Sequence, residues 1–261
     1  MQGSDRTLAK SVIYEGAHPV PDGGWTKTGP VPLTSGKGPI FCGSIENRKG
    51  AKEQLLHRLF SHVTMHGNIL SNRGLPALKK DCLGRPFLSW PDASAPAISF
   101  SHANGRMWAC LGWAAGIGID VAYPEEFDDP YPFARIFRRE ELDQVRGLCG
   151  GGVRDGAALL WAVKEAAVKA LGCGFNLFDP LEVEVRVLSR LAHGFLFKVN
   201  LSTPRPAGLS LFKVHPEPRV LASSLRPGLR AVERVNVGRA LSAWAAREGQ
   251  AWMAVALIAP S

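Results

Sequence analysis

Long apolar runs are missing from this chain. No stretch approaches the roughly 18–20 apolar residues that a membrane-crossing helix needs. The first residues, with Asp5, Arg6 and Lys10 among short polar stretches, lack the apolar core of a secretory signal. Cysteine is scarce and shows no pairing pattern: Cys42, Cys82, Cys110, Cys149 and Cys173 are widely spaced and never fall as C-x-x-C. An odd, scattered set argues against a disulfide framework and a zinc site, and fits buried thiols in a reducing compartment. A soluble cytoplasmic protein with no membrane partner is expected. Acidic residues are also in deficit, 23 Asp and Glu against 31 Lys and Arg, for a formal net charge of +8. That balance favours an anionic partner (nucleic acid, an acidic lipid surface, a polyphosphate ligand or an acidic protein) without choosing among them.

Several catalytic signatures are missing as well. The run Gly150-Gly151-Gly152 is not followed by G-K-[ST], so it reads as a loop and not as a phosphate-cradling P-loop. Gly116-Ile117-Gly118 lacks the third glycine of a dinucleotide fingerprint. Ser101-His102 has no nucleophile-elbow context, which argues against a hydrolase. His62-x-x-x-His66 has helical metal spacing but not the Glu of H-E-x-x-H, and reads as two helix-surface histidines. No RNP motif, reading helix or basic–aromatic interleaving accompanies the positive charge, so nucleic-acid binding rests on charge alone.

What is present is a globular chain. Its 261 residues are 46% hydrophobic and 21% charged, enough for one large domain or two small ones with a real core. Residues 1–39 are rich in Gly, Pro, Ser and Thr without periodicity and read as a loose arm. A helix is expected from Glu46 to about Met65, with Leu55, Leu56, Leu59 and Val63 on its apolar side and Arg48, Lys49, Lys52 and Arg58 on its basic side. Ala97 to His102 alternates as a strand, Asn104-Gly105 signals a hairpin, and Met107 to Trp113 returns. Ile117 to Val121 reads as a buried strand ended by Pro124, and Phe133 to Val145 as a helix. Beyond Gly174 the pattern turns to strands at Val183–Val187, Phe195–Val199 and Trp252–Ile258. The fold class expected is α+β, with two similar-sized halves, 40–115 and 116–261, meeting near Gly116.

The most informative stretch is Trp161-Ala162-Val163-Lys164-Glu165-Ala166-Ala167-Val168-Lys169-Ala170-Leu171-Gly172. At about 100° per residue, Leu160, Val163, Ala167 and Leu171 share a core-facing stripe, while Trp161, Glu165 and Lys169 project from the flank and far side. Lys164 falls near the apolar stripe, where a cation is costly unless it lines a cleft. Glu165 and Lys169 alone would be an ordinary i, i+4 surface pair worth about 0.2–0.5 kcal/mol. Asp120 alone would be a polar strand end. Together, a strand-end carboxylate and a helix carboxylate beside a Lys can hold a divalent metal and a phosphate.

Gly118-Ile119-Asp120-Val121 followed by Trp161-x-x-Lys164-Glu165-Ala166-x-x-Lys169-Ala170-x-Gly172 resembles the paired signature of the 4′-phosphopantetheinyl transferases, of the larger monomeric type that activates surfactin- and enterobactin-like synthetases. Gly84-Arg85-Pro86, Ile98-Ser99-Phe100-Ser101-His102 and Phe133-Ala134-Arg135-Ile136-Phe137-Arg138-x-Glu140 occur in that family's order. The resemblance implies a pseudo-twofold arrangement of the two halves and transfer of phosphopantetheine from coenzyme A to a serine of an apo carrier protein, with release of 3′,5′-ADP. It implies a Mg²⁺ site, with Mn²⁺ an alternative, formed by Asp120 and Glu165. Glu165 and Lys169 would be catalytic, and Arg85, Ser101, His102, Lys164 and Lys169 would contact coenzyme A. A monomer is implied. One departure stands out: many relatives carry Asp-x-Glu on the strand, and here the second place is Ala122. That departure keeps open a catalytically impaired homologue that binds coenzyme A or a carrier protein without transfer.

Overall fold

The computed structural model describes residues 26–33, 38–66, 74–81, 84–91, 93–150, 152–176, 178–201 and 241–258. In chain order these form β1 (Thr26–Val31), β2 (Ile40–Glu46), α1 (Ala51–His66), β3 (Ala77–Lys80), β4 (Pro86–Ser89), β5 (Ala97–Ala103), β6 (Arg106–Gly112), β7 (Gly116–Ala122), α2 (Arg139–Arg146), α3 (Val153–Leu171), β8 (Val183–Leu191), β9 (Gly194–Leu201), β10 (Leu241–Glu248) and β11 (Ala251–Ile258). One sheet has the order β1-β2-β6-β5 and a second the order β7-β11-β10-β9-β8, while β3 and β4 form a separate ribbon. All pairings are antiparallel. The class is mixed α/β. No helix among the described residues is long and apolar enough to cross a membrane.

Side-chain alternation builds the layers. On β6, Met107, Ala109 and Leu111 pack with Leu55, Leu59 and Phe60 of α1, while Trp108 and Cys110 face the other way. They meet Ile117, Ile119 and Val121 of β7 and Met253, Val255 and Leu257 of β11, so the two sheets share a core. The remaining face of β11 (Trp252, Ala254 and Ala256) joins Ala122 in packing with α3. Strands buried on both sides need apolar residues at nearly every position. This is why β7 reads Gly-Ile-Gly-Ile-Asp-Val-Ala without polar alternation, and its Asp120 faces the helix side with Gly118 and Ala122.

Three expectations change. The reading of 1–39 as a loose arm fails for Thr26–Val31, which pairs with β2 from Thr26↔Ser44 to Val31↔Ile40; residues 1–25 lie outside the described residues. Its threonines and valine pair through backbone groups, a signal that apolar periodicity does not carry. Glu46 ends β2, and the first helix starts only at Ala51. The stretch expected as one helix, Phe133 to Val145, is a 3₁₀ turn at Phe133–Arg135 followed by α2. The break comes where Glu141 Oε2 accepts the Arg138 N–H at 2.9 Å, starting a fresh helix at Arg139.

Candidate active site

Small residues bring α3 onto β7. A methyl group at Gly118 would overlap the Ala166 carbonyl oxygen and come within 2.6 Å of the Ala170 nitrogen, and one at Gly116 would overlap the Ala170 carbonyl. With glycines on the strand and alanines on the helix, the backbones approach closely and the polar flank of α3 reaches the strand end. Lys169 Nζ lies 2.6 Å from Asp120 Oδ1 and donates at 3.3 Å to the Ile119 carbonyl. Its helical neighbour Glu165 is farther, with Oε2 at 3.9 Å. The i, i+4 pair seen in the sequence is therefore secondary to a strand-to-helix ion pair.

Two serines stitch β5 to β7 across the junction of the sheets. Ser99 Oγ accepts the Ile119 N–H at 3.2 Å, and Ser101 Oγ donates to Asp120 Oδ1 at 2.8 Å. Asp120 is 7% exposed. Burial raises its carboxyl pKa above the ordinary carboxylate range, opposed by the Lys169 charge and by hydrogen bonds from Lys169 and Ser101. Glu165 is raised too, first by burial and then by the Asp120 charge, with Lys169 opposing. His102 is lowered by burial and by the positive charges of Lys52 and Lys169. These groups surround a cleft of about 420 Å³ lined by Ser101, His102, Asp120, Glu126, Trp161, Glu165 and Lys169, among others.

The cleft thus gathers Asp120, Glu165, Lys169, Ser101 and His102 from three elements, as grouped in the sequence reading. Arg85 is not among the lining residues. Its guanidinium lies across Gly172, where a methyl would strike it, at the C-terminal end of α3, a position favourable for a cation. Lys164, expected to contact the cofactor, lies away from this cleft. Its side chain is fully buried, 2.8 Å from Glu141 Oε2, and donates to the carbonyls of Pro180 at 2.8 Å and Ile136 at 3.2 Å. One residue on a helix is a turn of about 100°, so Lys164 cannot share the cleft with Glu165. It faces α2 instead, and Glu141 neutralises it, with a second oxygen accepting the Val185 N–H at 2.7 Å.

Three lining or flanking residues were not singled out as site residues. Lys52, one of several cations on the basic side of α1, sits 5.7 Å from the Phe100 ring and close enough to influence His102. Nothing in the sequence distinguished it from Arg48, Lys49 or Arg58. Trp161 lines the cleft while stacked on Phe175 at 5.1 Å. Glu126 lines it from a 3₁₀ turn, Pro124–Phe127. Pro124 marked a turn after the strand, but nothing in the sequence aimed Glu126 at the cleft.

Residues 116–220 match the family model of the 4′-phosphopantetheinyl transferase superfamily. The matched stretch begins with β7 and contains Asp120, Glu165 and Lys169, so it carries the strand and helix whose side chains meet in the cleft. Ser101, His102 and Arg85 lie before the matched residues and come near them through the fold. No curated protein matches the chain.

Among the described residues no group of three or more His, Cys, Asp or Glu side chains could hold a metal ion by itself. The carboxylates in the cleft are hard oxygen donors facing one lysine. Hard cations held by one or two carboxylates, with water and phosphate oxygens completing the shell, match that arrangement.

Proposed function

We propose that the protein transfers 4′-phosphopantetheine from coenzyme A to a serine hydroxyl of an apo carrier protein, releasing 3′,5′-ADP, as a holo-carrier synthase of the larger monomeric type. The observation that supports this most is the meeting of Asp120, Lys169 and Glu165 at one cleft within the superfamily segment. Coenzyme A lies between an N-terminal half, 40–115, and a C-terminal half, 116–261, in a pseudo-twofold arrangement preceded by residues 1–39. The protein acts as a cytoplasmic monomer without a nucleic-acid or membrane partner.

In this reading the serine oxygen attacks the β-phosphorus of coenzyme A, its proton passes to Glu165, and the bond to the departing 3′,5′-ADP breaks. Asp120 and Glu165 would hold Mg²⁺, or Mn²⁺ in its place, whose contribution is to neutralise charge on the diphosphate. Lys169 neutralises the leaving phosphate; its present bond to Asp120 shows that its ammonium reaches the strand end. His102 and Lys52 bind phosphate at the rim, and Arg85 extends that surface towards the 3′-phosphate. The Ser101 hydroxyl donates a hydrogen bond to Asp120 in this structure, orienting the carboxylate, and contacts a phosphate only after it rotates. Catalysis is then mostly positioning and charge neutralisation, as in other phosphoryl transfers.

The test is direct. Incubation with coenzyme A, Mg²⁺ and an apo carrier protein yields a carrier heavier by one phosphopantetheine in mass spectrometry. Glu165→Gln is expected to lower the rate by at least the ~100-fold typical of removing a general base, and an unchanged rate removes Glu165 from that role. Ala122 favours a second reading, a homologue that binds coenzyme A or a carrier without transfer. Tight coenzyme A binding with no mass increase at any metal concentration selects it.

A further inference from the structure

Little on its own side of α3 holds the carboxylate of Glu165. Among the described residues it makes no hydrogen bond, and Lys169, its one ion contact, stands 3.9 Å away. Its place is therefore set by how α3 is turned about its own axis. The contact that presses α3 onto β7 joins Gly116 and Gly118 to Ala166 and Ala170. Attraction between such small apolar groups is non-directional, so it governs how closely the backbones approach more than how the helix is turned. The margin is narrow: a turn of about 20° carries an atom about 6 Å from a helix axis through roughly 2 Å.

Directional bonds come from the face turned away from the cleft. Lys164, one position before Glu165 and fully buried, commits all three of its ammonium protons. They go to Glu141 Oε2 at 2.8 Å, the Pro180 carbonyl at 2.8 Å and the Ile136 carbonyl at 3.2 Å. These acceptors lie on segments that are themselves tied together. Glu141, also buried, accepts the N–H groups of Arg138 at 2.9 Å and Val185 at 2.7 Å, joining the start of α2 to β8. Arg138 donates from Nε and Nη2 to the Leu181 carbonyl at 3.1 and 2.8 Å, within the 3₁₀ turn Pro180–Glu182 that leads into β8. A buried ion pair adds little net stability, because desolvation offsets its attraction, yet separating the partners is costly. The pair therefore favours one rotation of α3 over its neighbours.

We infer that Lys164 and Glu141 are positioning residues, whose buried bond fixes the rotation of α3 and so holds Glu165 at the cleft. This rests on the role of Glu165 in the transfer proposed above. Neither side chain lines the cleft, so both act through the helix and touch no reacting atom.

The test replaces both partners, Lys164→Met with Glu141→Gln, so that neither charge is left buried alone. Leu160→Ala, one turn earlier on the same face, is the control that loses buried packing and keeps the ion pair. Steady-state rates are compared where circular dichroism shows every variant folded. The double variant is expected to lower kcat on the order of 100-fold, the loss typical of a displacement of about 1 Å. KM for coenzyme A stays within about threefold, and Leu160→Ala keeps kcat within about threefold. Glu141→Gln alone, closer in shape to the parent, gives a smaller loss in the same direction and serves if the double variant does not fold. A crystal structure of the variant supplies a readout independent of activity, in which Glu165 is displaced relative to Asp120. Equal losses of kcat in the double variant and in Leu160→Ala, or a Glu165 that has not moved, overturn the inference. If the parent chain loads no carrier while Glu165 moves in the variant, the transfer reading fails and the positioning role stands.

Discussion

Lys164 and Lys169 stand five residues apart on one helix and face different sides of it. Lys169 keeps partial solvent contact and pairs with Asp120 at the cleft, whereas Lys164 is wholly enclosed and pairs with Glu141. The difference is angular: five residues advance about 500°, leaving the two side chains roughly 140° apart around the axis. The sequence showed that Lys164 was anomalous on its apolar stripe, and burial explains the anomaly with a buried, fully bonded ion pair and no ligand. Glu165 carries the pH prediction. Burial and the Asp120 charge raise its pKa, so its ionised form appears at higher pH than for an ordinary carboxyl near 4. Cation binding needs the ionised carboxylate, so with no cation bound Glu165 holds its proton to higher pH, and affinity for Mn²⁺ is expected to strengthen as pH rises through that raised value. Mn²⁺ titrations over a pH series check this; an affinity that is flat above the ordinary carboxylate range speaks against Glu165 as a ligand.

At the scale of elements, the decisive contact is between α3 and β7. Its glycines are legible in the sequence as a Gly-x-Gly ahead of the Asp, and the alanines as Ala166 and Ala170 beside the charged flank. Their meaning is steric: only a strand without side chains at Gly116 and Gly118 lets the helix backbone sit on it. Gly118→Ala is expected to cost about 1–3 kcal/mol through overpacking and to displace Glu165 and Lys169 from Asp120. A shift of about 1 Å in such groups lowers kcat on the order of 100-fold. Gly74→Ala, where a methyl meets nothing within 4 Å, is the matched control. Urea denaturation and carrier-loading assays on both variants measure the two effects. The 3₁₀ turn at Pro124–Phe127 was much less legible. Pro124 announced the end of the strand, but the return of Glu126 towards Asp120 depends on where Phe127 is buried, and burial is a property of the packed aromatics.

Across the whole molecule, the two sheets join through β5 and β7, and the cleft opens where that joint meets α3. Ser101 and Asp120, 19 residues apart, hydrogen-bond across it, so residues outside 116–220 help to form the cleft. The excess of 8 positive charges adds a long-range attraction for polyanions. KM for coenzyme A is therefore expected to rise with ionic strength while kcat changes little, because screening acts on encounter more than on groups already in contact. Initial-rate measurements over a salt series test this, and a kcat that falls as steeply as kcat/KM opposes it. By itself the sequence determined the mixed class, the central helix, the two-sided burial of β7, and the pairing of a strand Asp with a helix Glu and Lys, because periodicity and residue chemistry are local properties. Only the tertiary structure decided that Lys164 turns inward, that Lys52 stands by His102, and that Glu126 lines the cleft. Each of these depends on which surfaces meet, and that is fixed by packing between segments distant in the chain.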